Sequence, residues 1–208
     1  LFVLASSSPR RRDLLASMGI SFNVVKPDID ESLRPGEPLL DYVRRLSREK
    51  ASRVIQNLPD EVTVLAADTV VILAADTMGI DPAGELDPAG ELLGKPATAD
   101  EARAMLVKLR GRTHQVYTAL TLVASWERTA RFQTTLTRTD VTMRDYTDEE
   151  IAAYIASGDP FDKAGGYAIQ HEGFRPVARI DGSYSNVVGL PVETLEQMLT
   201  GMGIALLR

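Results

Sequence analysis

Ser6-Ser7-Ser8-Pro9-Arg10-Arg11-Arg12 follows an apolar run, Leu1–Ala5, and leads into a stretch with helical periodicity. Ser8 suits the N-cap, Pro9 the first helical position and Gly19 the position past the end. The first turn of a helix presents backbone N–H groups with partial positive charge, so arginines there are unfavourable unless something negative joins them. A bound phosphate would draw those N–H groups, the Ser6 and Ser8 hydroxyls and the guanidinium forks of Arg10 and Arg11 onto one anion. The competing reading has the arginines facing water, or paired with Asp13 and the acidic segment Asp28–Glu31.

Further residues with chemical potential lie downstream. In the helical run from Leu39 to Gln56, Leu39, Val43, Leu46 and Val54 form an apolar stripe at about 100° per residue, with Lys50 near its centre. The Lys50 ammonium can snorkel off the edge of the stripe or project into a polar pocket, and periodicity leaves both open. Val62–Ala67 reads as a buried strand ending at Asp68-Thr69, where a carboxylate can hold metal or activate water; a capping or turn aspartate is the plainer reading. Ala-Ala-Asp-Thr recurs at 74–77, so Asp76 shares the pattern of Asp68. Gly94-Lys95-Pro96 is not a Walker A loop, because Pro96 stands where Ser or Thr is required and the upstream glycine is missing. Between Phe161 and Gln170, Gly165 and Gly166 permit close backbone approach, and Gln170 offers both a donor and an acceptor. That suits recognition of a base edge, although a surface glutamine would look the same.

The elements that must position these residues alternate along the chain. Strand-like runs are Leu1–Ala5, Phe22–Val25, Val62–Ala67, Val70–Leu73, Gln115–Val123, Phe132–Met143, Tyr167–Ile169 and Val177–Ile180. Capping boxes, Thr98 with Glu101 and Thr147 with Glu150, open two helices that stop at Gly111 and Gly158, and a short helix follows Pro191. This order predicts an α/β protein in which the long stretch Gln115–Met143 adds antiparallel pairing to the sheet. Asp-Pro-Ala-Gly-Glu-Leu occurs at 81–86 and again at 87–92; the unit is too short for a solenoid and reads as an enlarged hairpin tip.

Composition narrows the classes. A chain of 208 residues, 44% hydrophobic and 25% charged, supports a globular core in one or two domains. With no cysteine, disulfide scaffolds, thiolate zinc sites, iron–sulfur clusters and cysteine nucleophiles are excluded. His114 and His171 are the only histidines, so any metal would be held mainly by oxygen, which points to Mg²⁺ or Mn²⁺. A net charge of −6 argues against coating a nucleic acid polymer while leaving room for a local basic pocket. The most apolar run, Val62–Leu73, is interrupted by Asp68 and falls short of the ~18 residues a membrane span needs. The apolar start lacks a basic flank and is followed too soon by arginines for a signal peptide, so the expected location is the cytoplasm.

Taken in order, Leu4-Ala5-Ser6-x-Ser8-Pro9-Arg10-Arg11, Arg48-Glu49-Lys50-Ala51, Ala67-Asp68-Thr69-Val70, Gly94-Lys95-Pro96, Asp162-Lys163-Ala164-Gly165 with Gln170, and Gly182-Ser183-Tyr184…Val188-Gly189-Leu190-Pro191 make a longer pattern. Over nearly its whole length the chain resembles the Maf family. The resemblance implies a single Maf-like domain over residues 1–208, with two lobes around a central cleft and an enlarged hairpin insert at about 74–92. The implied fold is an elongated mixed β-sheet flanked by helices, related to that of the inosine triphosphate pyrophosphatases. The implied activity is metal-dependent hydrolysis of a nucleoside triphosphate to the monophosphate and pyrophosphate.

Residue by residue, the resemblance assigns Ser6, Ser8, Arg10 and Arg11 to the triphosphate, and Glu31, Lys50, Asp68 and Lys95 to the catalytic pocket, with Asp68 as proton acceptor. Separation from Lys50 matches Asp68, and not Asp76, to that role, and places the extra residues between Asp68 and Lys95. Arg10, Thr69 and Gln170 match the branch acting on dTTP and UTP; the branch acting on 7-methyl-GTP has tryptophan in the first loop and glutamate in the last. The Gln170 amide can meet the uracil or thymine face, which offers carbonyl acceptors and an N–H donor. Lys163 is carried over as substrate-binding. In the implied mechanism Mg²⁺ or Mn²⁺ bridges the phosphates, Glu31 and Asp68 hold it or activate water, and Arg11, Lys50 and Lys95 stabilise the departing pyrophosphate. The partner is then the nucleotide, with no nucleic acid polymer or membrane, and a homodimer is compatible. The alternative is a nucleotide-sensing binding protein linked to division arrest, in keeping with the family's naming for inhibition of septum formation. Carboxylates at 31 and 68 beside a phosphate site would repel the ligand unless a metal intervened, which favours catalysis.

Overall fold

Val3 and Ala5 lie on one face of the first strand and Leu4 on the other, and this alternation decides which helices cover each side. The structure is a computed structural model, and it describes residues 1–74, 79–80, 86–87, 90–126 and 129–204. In chain order the elements are β1 (Phe2–Ala5), α1 (Pro9–Ser17), β2 (Asn23–Val24), α2 (Leu39–Ile55), β3 (Thr63–Ala74), β4 (Gly79–Ile80), β5 (Leu86–Asp87) and β6 (Gly90–Leu93). They continue with α3 (Ala99–Leu109), β7 (Thr113–Trp126), β8 (Thr129–Met143), α4 (Asp148–Ala156), β9 (Val177–Asp181), α5 (Tyr184–Val188) and α6 (Val192–Gly201). Among the described residues a seven-stranded mixed sheet runs β2-β1-β3-β7-β8-β9, with β6 also paired to β3. The β1 pairings to β2 and β3 are parallel, and those of β6 to β3 and β9 to β8 are antiparallel. The expected mixed α/β architecture is the one observed. No helix among the described residues is long and apolar enough to cross a membrane.

The chain divides into two compact units. The first comprises Leu1–Asp68, Thr118–Thr137 and Gly189–Arg208. Here Leu4, Leu65, Ala67, Leu120 and Leu122 pack with Leu15 of α1 and Leu195, Met198 and Leu199 of α6. On the opposite face Val3, Ala5, Val64, Ala66 and Val123 pack with Ala51 and Val54 of α2. The period-2 alternation of β1 and β3 thus sorts α1 and α6 to one side and α2 to the other. The second unit comprises Thr69–Tyr117 and Arg138–Val188. Its core joins Val71, Leu93, Val116 and Val141 to Leu106 and Leu109 of α3, Ile151 and Tyr154 of α4, and Tyr146, Tyr167 and Phe174.

Helix starts follow the sequence closely. Ser8 caps α1 and its hydroxyl accepts the Arg11 N–H, and no acidic residue occupies the first turn. Thr147 and Glu150 form the full reciprocal box at α4. At α3 the Thr98 hydroxyl accepts the Glu101 N–H, whereas the Glu101 carboxylate accepts from Ala97 N–H, one residue earlier than a strict box.

Two expectations are corrected. The strands Val62–Ala67 and Val70–Leu73 are one strand, β3, which passes straight through Asp68-Thr69. It pairs with β1 as far as Ala66 and with β6 from Val71, so Asp68 sits between the two ladders rather than at a strand end. Tyr167–Ile169 is not a strand: Gly165 and Gly166 take φ of 72° and 68°, turning the chain, and Ala168 N–H donates to the Tyr154 hydroxyl instead of a neighbouring strand. The helix α5 carries no clear sequence signal, since Ser-Asn and paired valines are poor helix formers. Within the duplicated stretch β4 pairs antiparallel with β5, and Asp76 lies outside the described residues.

Before α5, Gly182 has φ of 127°, and a Cβ there would lie 2.8 Å from Thr139 Oγ1 and 3.1 Å from Thr139 Cα. Thr139 Oγ1 is held in place, accepting from Ser183 N–H and Asn186 Nδ2. Gly182→Ala is therefore expected to destabilise the fold by ~3 kcal/mol, through combined backbone strain and overpacking, as read by urea unfolding.

Candidate active site

The face of β3 that carries Val64 and Ala66 against α2 also carries Asp68, two residues further on. On α2 the stripe that packs Ala51 and Val54 includes Lys50. The two alternations therefore bring Lys50 Nζ to 2.6 Å from Asp68 Oδ1, with both side chains buried. This resolves the open position of Lys50: it projects inward, to a carboxylate. Glu31 Oε1 lies 3.1 Å from the same ammonium, and its side chain is 53% exposed. The Tyr42 hydroxyl donates to the Glu31 carbonyl at 2.9 Å. Sequence reading missed Tyr42, although it lies about two turns before Lys50 on the same helix face.

Burial pushes the Asp68 carboxyl above its ordinary range, against the opposing pull of Lys50 and Arg11. A raised carboxylate is a better proton acceptor than an exposed one. Arg11 is displaced downward, chiefly by burial, with Asp68 opposing and Arg10 reinforcing the shift.

The three consecutive arginines take different environments. Successive helical residues step by ~100°, so three in a row cannot face one anion. Arg12 is exposed, with Nε 4.0 Å from Asp13, as the competing reading had it. Arg11 turns inward, donating from Nε to the Gly189 carbonyl and from Nη1 to the Ala67 carbonyl, each at 2.8 Å. Arg10 is half-buried on the first turn of α1. Ser6 is buried, and its hydroxyl accepts the Ser8 N–H at 3.2 Å.

In the second unit, Thr69 is half-buried on β3, Lys95 is exposed just after β6, and Gln170 is exposed in a turn. Lys163 is buried, but its ammonium donates to the Asp159 carbonyl and to the Asp159 and Asp162 carboxylates. Those acceptors tie it to its own loop. The loop is also braced by Tyr167, whose hydroxyl lies 2.7 Å from His114 Nε2. Burial pulls His114 from 6.5 down to about 4, so the folded chain keeps it neutral while the unfolded chain protonates. Stability is therefore complete above the unfolded value and falls as pH drops towards the folded one, by about 2 kcal/mol between pH 7 and pH 5. His114→Phe is expected to flatten this slope in urea titrations at the two pH values.

Glu31 and Asp68 already converge on one cation, the Lys50 ammonium. A hard divalent ion commonly takes one or two protein carboxylates and completes its shell with substrate phosphates and water. The donor chemistry thus fits a hard divalent cation such as Mg²⁺ or Mn²⁺, which these two residues would hold. No group of three or more His, Asp or Glu residues placed to hold a metal occurs among the described residues.

A helix N-terminus bearing arginines, a buried lysine–aspartate pair and a second carboxylate are set on the mixed sheet of an α/β protein, a donor set that could take a phosphoanion together with a cation. The chain matches the Maf family, described as Maf-like protein, over residues 1–202. It is 47% identical over 206 residues to a dTTP/UTP pyrophosphatase of Myxococcus xanthus, covering 99% of this chain and 94% of that one. A dTTP/UTP pyrophosphatase of Escherichia coli O157:H7 is 46% identical over 194 residues, covering 93% and 89%. In fold the chain is similar to the Ham1 protein of Staphylococcus aureus, with a TM-score of 0.50 at 15% identity over 97% of this chain and 98% of that one. The chain belongs to the Maf family.

Proposed function

We propose that this chain is a nucleoside triphosphate pyrophosphatase acting on dTTP and UTP. The observation that carries the reading is the buried Lys50–Asp68 contact, joined by Glu31, on the same sheet as the Arg11 end of α1. Asp68 takes the proton of a water that attacks the α-phosphorus; the bond from that phosphorus to the α,β-bridging oxygen breaks, and pyrophosphate leaves with the bonding pair. A bound Mg²⁺ or Mn²⁺, held through Glu31 and Asp68, supplies charge neutralisation on the phosphates. Ser6, Ser8 and Arg10 bind the triphosphate at the α1 N-terminus, and Arg11, Lys50 and Lys95 offset the charge that grows on the leaving group.

Thr69 and Gln170 select the pyrimidine base, Gln170 through an amide that both donates and accepts. The contacts of Lys163 support ordering of the Gln170 loop as its contribution. A cytoplasmic location, where these triphosphates are made and consumed, suits the reaction.

The test is pyrophosphate release from a panel of nucleoside triphosphates with Mg²⁺ and with Mn²⁺. Turnover of dTTP and UTP well above the purine nucleotides is the expected result, and Gln170→Glu should lower kcat/KM for both pyrimidines by about 10-fold or more. Saturable nucleotide binding with no release of pyrophosphate would overturn the reading.

A further inference from the structure

Glu31 lies in a stretch, residues 26–38, with neither helix nor strand, and none of those residues joins the three apolar clusters. Leu33 within it is 45% exposed. A segment without buried apolar contacts pays the full entropy of ordering, about 1–2 kcal/mol per residue, unless polar bonds offset it. The placement of the Glu31 carboxylate beside Lys50 therefore needs a specific cause.

The cause lies on α2. Tyr42, Arg45, Glu49 and Lys50 stand at i, i+3, i+7 and i+8, on one face of the helix. The Tyr42 hydroxyl donates to the Glu31 carbonyl, and Arg45 Nη2 donates to the Ser32 carbonyl at 3.0 Å, so two consecutive carbonyls are held from the same face. Arg45 also grips the far end of the segment: Nε and Nη2 engage the two oxygens of Glu37 at 2.5 and 2.7 Å. Glu37 in turn accepts the Arg34 N–H, and Glu49 takes both Arg34 and Arg45. The Arg45 and Glu37 side chains are 13% and 11% exposed, so this is a shielded bidentate pair rather than a surface contact. The Tyr42 ring lies under the Arg45 guanidinium, 5.5 Å from its centroid. At the other end of the pinned backbone, Asp30 accepts both the N–H and the hydroxyl of Ser32, closing a tight turn around Glu31.

We propose that Tyr42 and Arg45 are positioning residues for Glu31, clamping its backbone to the Lys50 face of α2 so that its carboxylate stands ready to receive the nucleotide-borne divalent cation. The inference rests on the reading of Glu31 given above. Neither side chain touches the substrate; each acts through the Glu31 carboxylate. Losing an outer-shell partner of a metal-holding carboxylate typically weakens metal affinity 10- to 100-fold. Arg45→Met, which removes two anchors, falls in that range, and Tyr42→Phe, which removes one hydroxyl and keeps the ring, loses about 3- to 10-fold.

The experiment measures Mn²⁺ binding to the full chain, loaded with a non-hydrolysable α,β-imido analogue of dUTP, by water-proton relaxation. Wild type, Tyr42→Phe, Arg45→Met, Glu31→Gln and Tyr42→Phe/Glu31→Gln are compared, each with its urea midpoint. Weaker Mn²⁺ binding in Tyr42→Phe that vanishes in the Glu31→Gln background supports the proposal, because a general structural role would persist there. Mn²⁺ affinity equal to wild type in both Tyr42→Phe and Arg45→Met overturns it, as does an unchanged loss in the Glu31→Gln background. Pyrophosphate release by the wild type is recorded in parallel. A Tyr42 effect that runs through Glu31 on Mn²⁺, in a chain without turnover, would sink the catalytic reading while supporting the positioning one.

Discussion

Asp68→Asn is expected to lower kcat/KM for dTTP and UTP by about 10³-fold or more in a chain that remains folded. General-base catalysis contributes ~10²–10⁴-fold, and the substitution also removes one of the two carboxylates proposed to hold the cation. The stability cost is much smaller. An asparagine fills the same volume, its carbonyl can still accept from Lys50 Nζ, which lies 2.6 Å from Asp68 Oδ1, and that ammonium keeps the Glu31 carboxylate at 3.1 Å, so no buried charge is left unpaired. Burial already disfavours the charged carboxylate, so neutralising it returns part of the lost hydrogen-bond energy, and the net cost should be about 1–2 kcal/mol. Pyrophosphate release and urea unfolding, measured on the same preparation, separate the two effects. Asp76→Asn should keep wild-type turnover. A folded Asp68→Asn variant within about ten-fold of wild type would remove Asp68 from the role of base.

Lys50→Met carries the largest expected stability effect. The thioether side chain replaces the lysine stem but leaves the buried Asp68 without its ammonium, and breaking such a pair costs about 3–5 kcal/mol. Lys50 pulls the Asp68 carboxyl downward, so its removal lets burial drive that carboxyl still higher. Asp68 must be ionised to accept a proton, so the acid limb of kcat/KM should move to higher pH. The sign for folding follows from the same shift. A carboxyl whose folded value is raised binds its proton more readily in the native chain, so the deficit of Lys50→Met is greatest near neutrality and shrinks as pH falls. A pH–rate profile and urea titrations at two pH values read both. An acid limb that stays in place, or moves downward, would show that Lys50 does not act through Asp68.

Much of this is legible in the sequence. Ser8-Pro9 and Gly19 bound α1, the Thr98 and Thr147 caps open α3 and α4, and Val43, Leu46 and Val54 of the α2 stripe are buried, with Leu40 rather than Leu39 completing the face. These are local signals, written within one or two turns of chain. The failures are also local in origin. Asp68-Thr69 looks like punctuation between two strands because a carboxylate interrupts an apolar run, yet β3 continues since its partner changes from β1 to β6 there. Tyr167–Ile169 has strand-like composition, but paired glycines and the Tyr154 hydroxyl hold it as a turn.

The sequence by itself determined the kinds of element, their faces and the inventory of charged groups, because side-chain period and capping chemistry depend only on neighbours along the chain. Only the tertiary structure decided which charges meet. That Lys50 points to Asp68, that Arg11 spends two donors on the carbonyls of Ala67 and Gly189, and that Tyr42 and Arg45 hold the segment bearing Glu31 all depend on strands and helices being brought together. Arg11 and Gly189 lie 178 positions apart. Such contacts form when separate apolar faces are buried against a common sheet, and a periodicity read along one segment carries no information about the segment that will cover it.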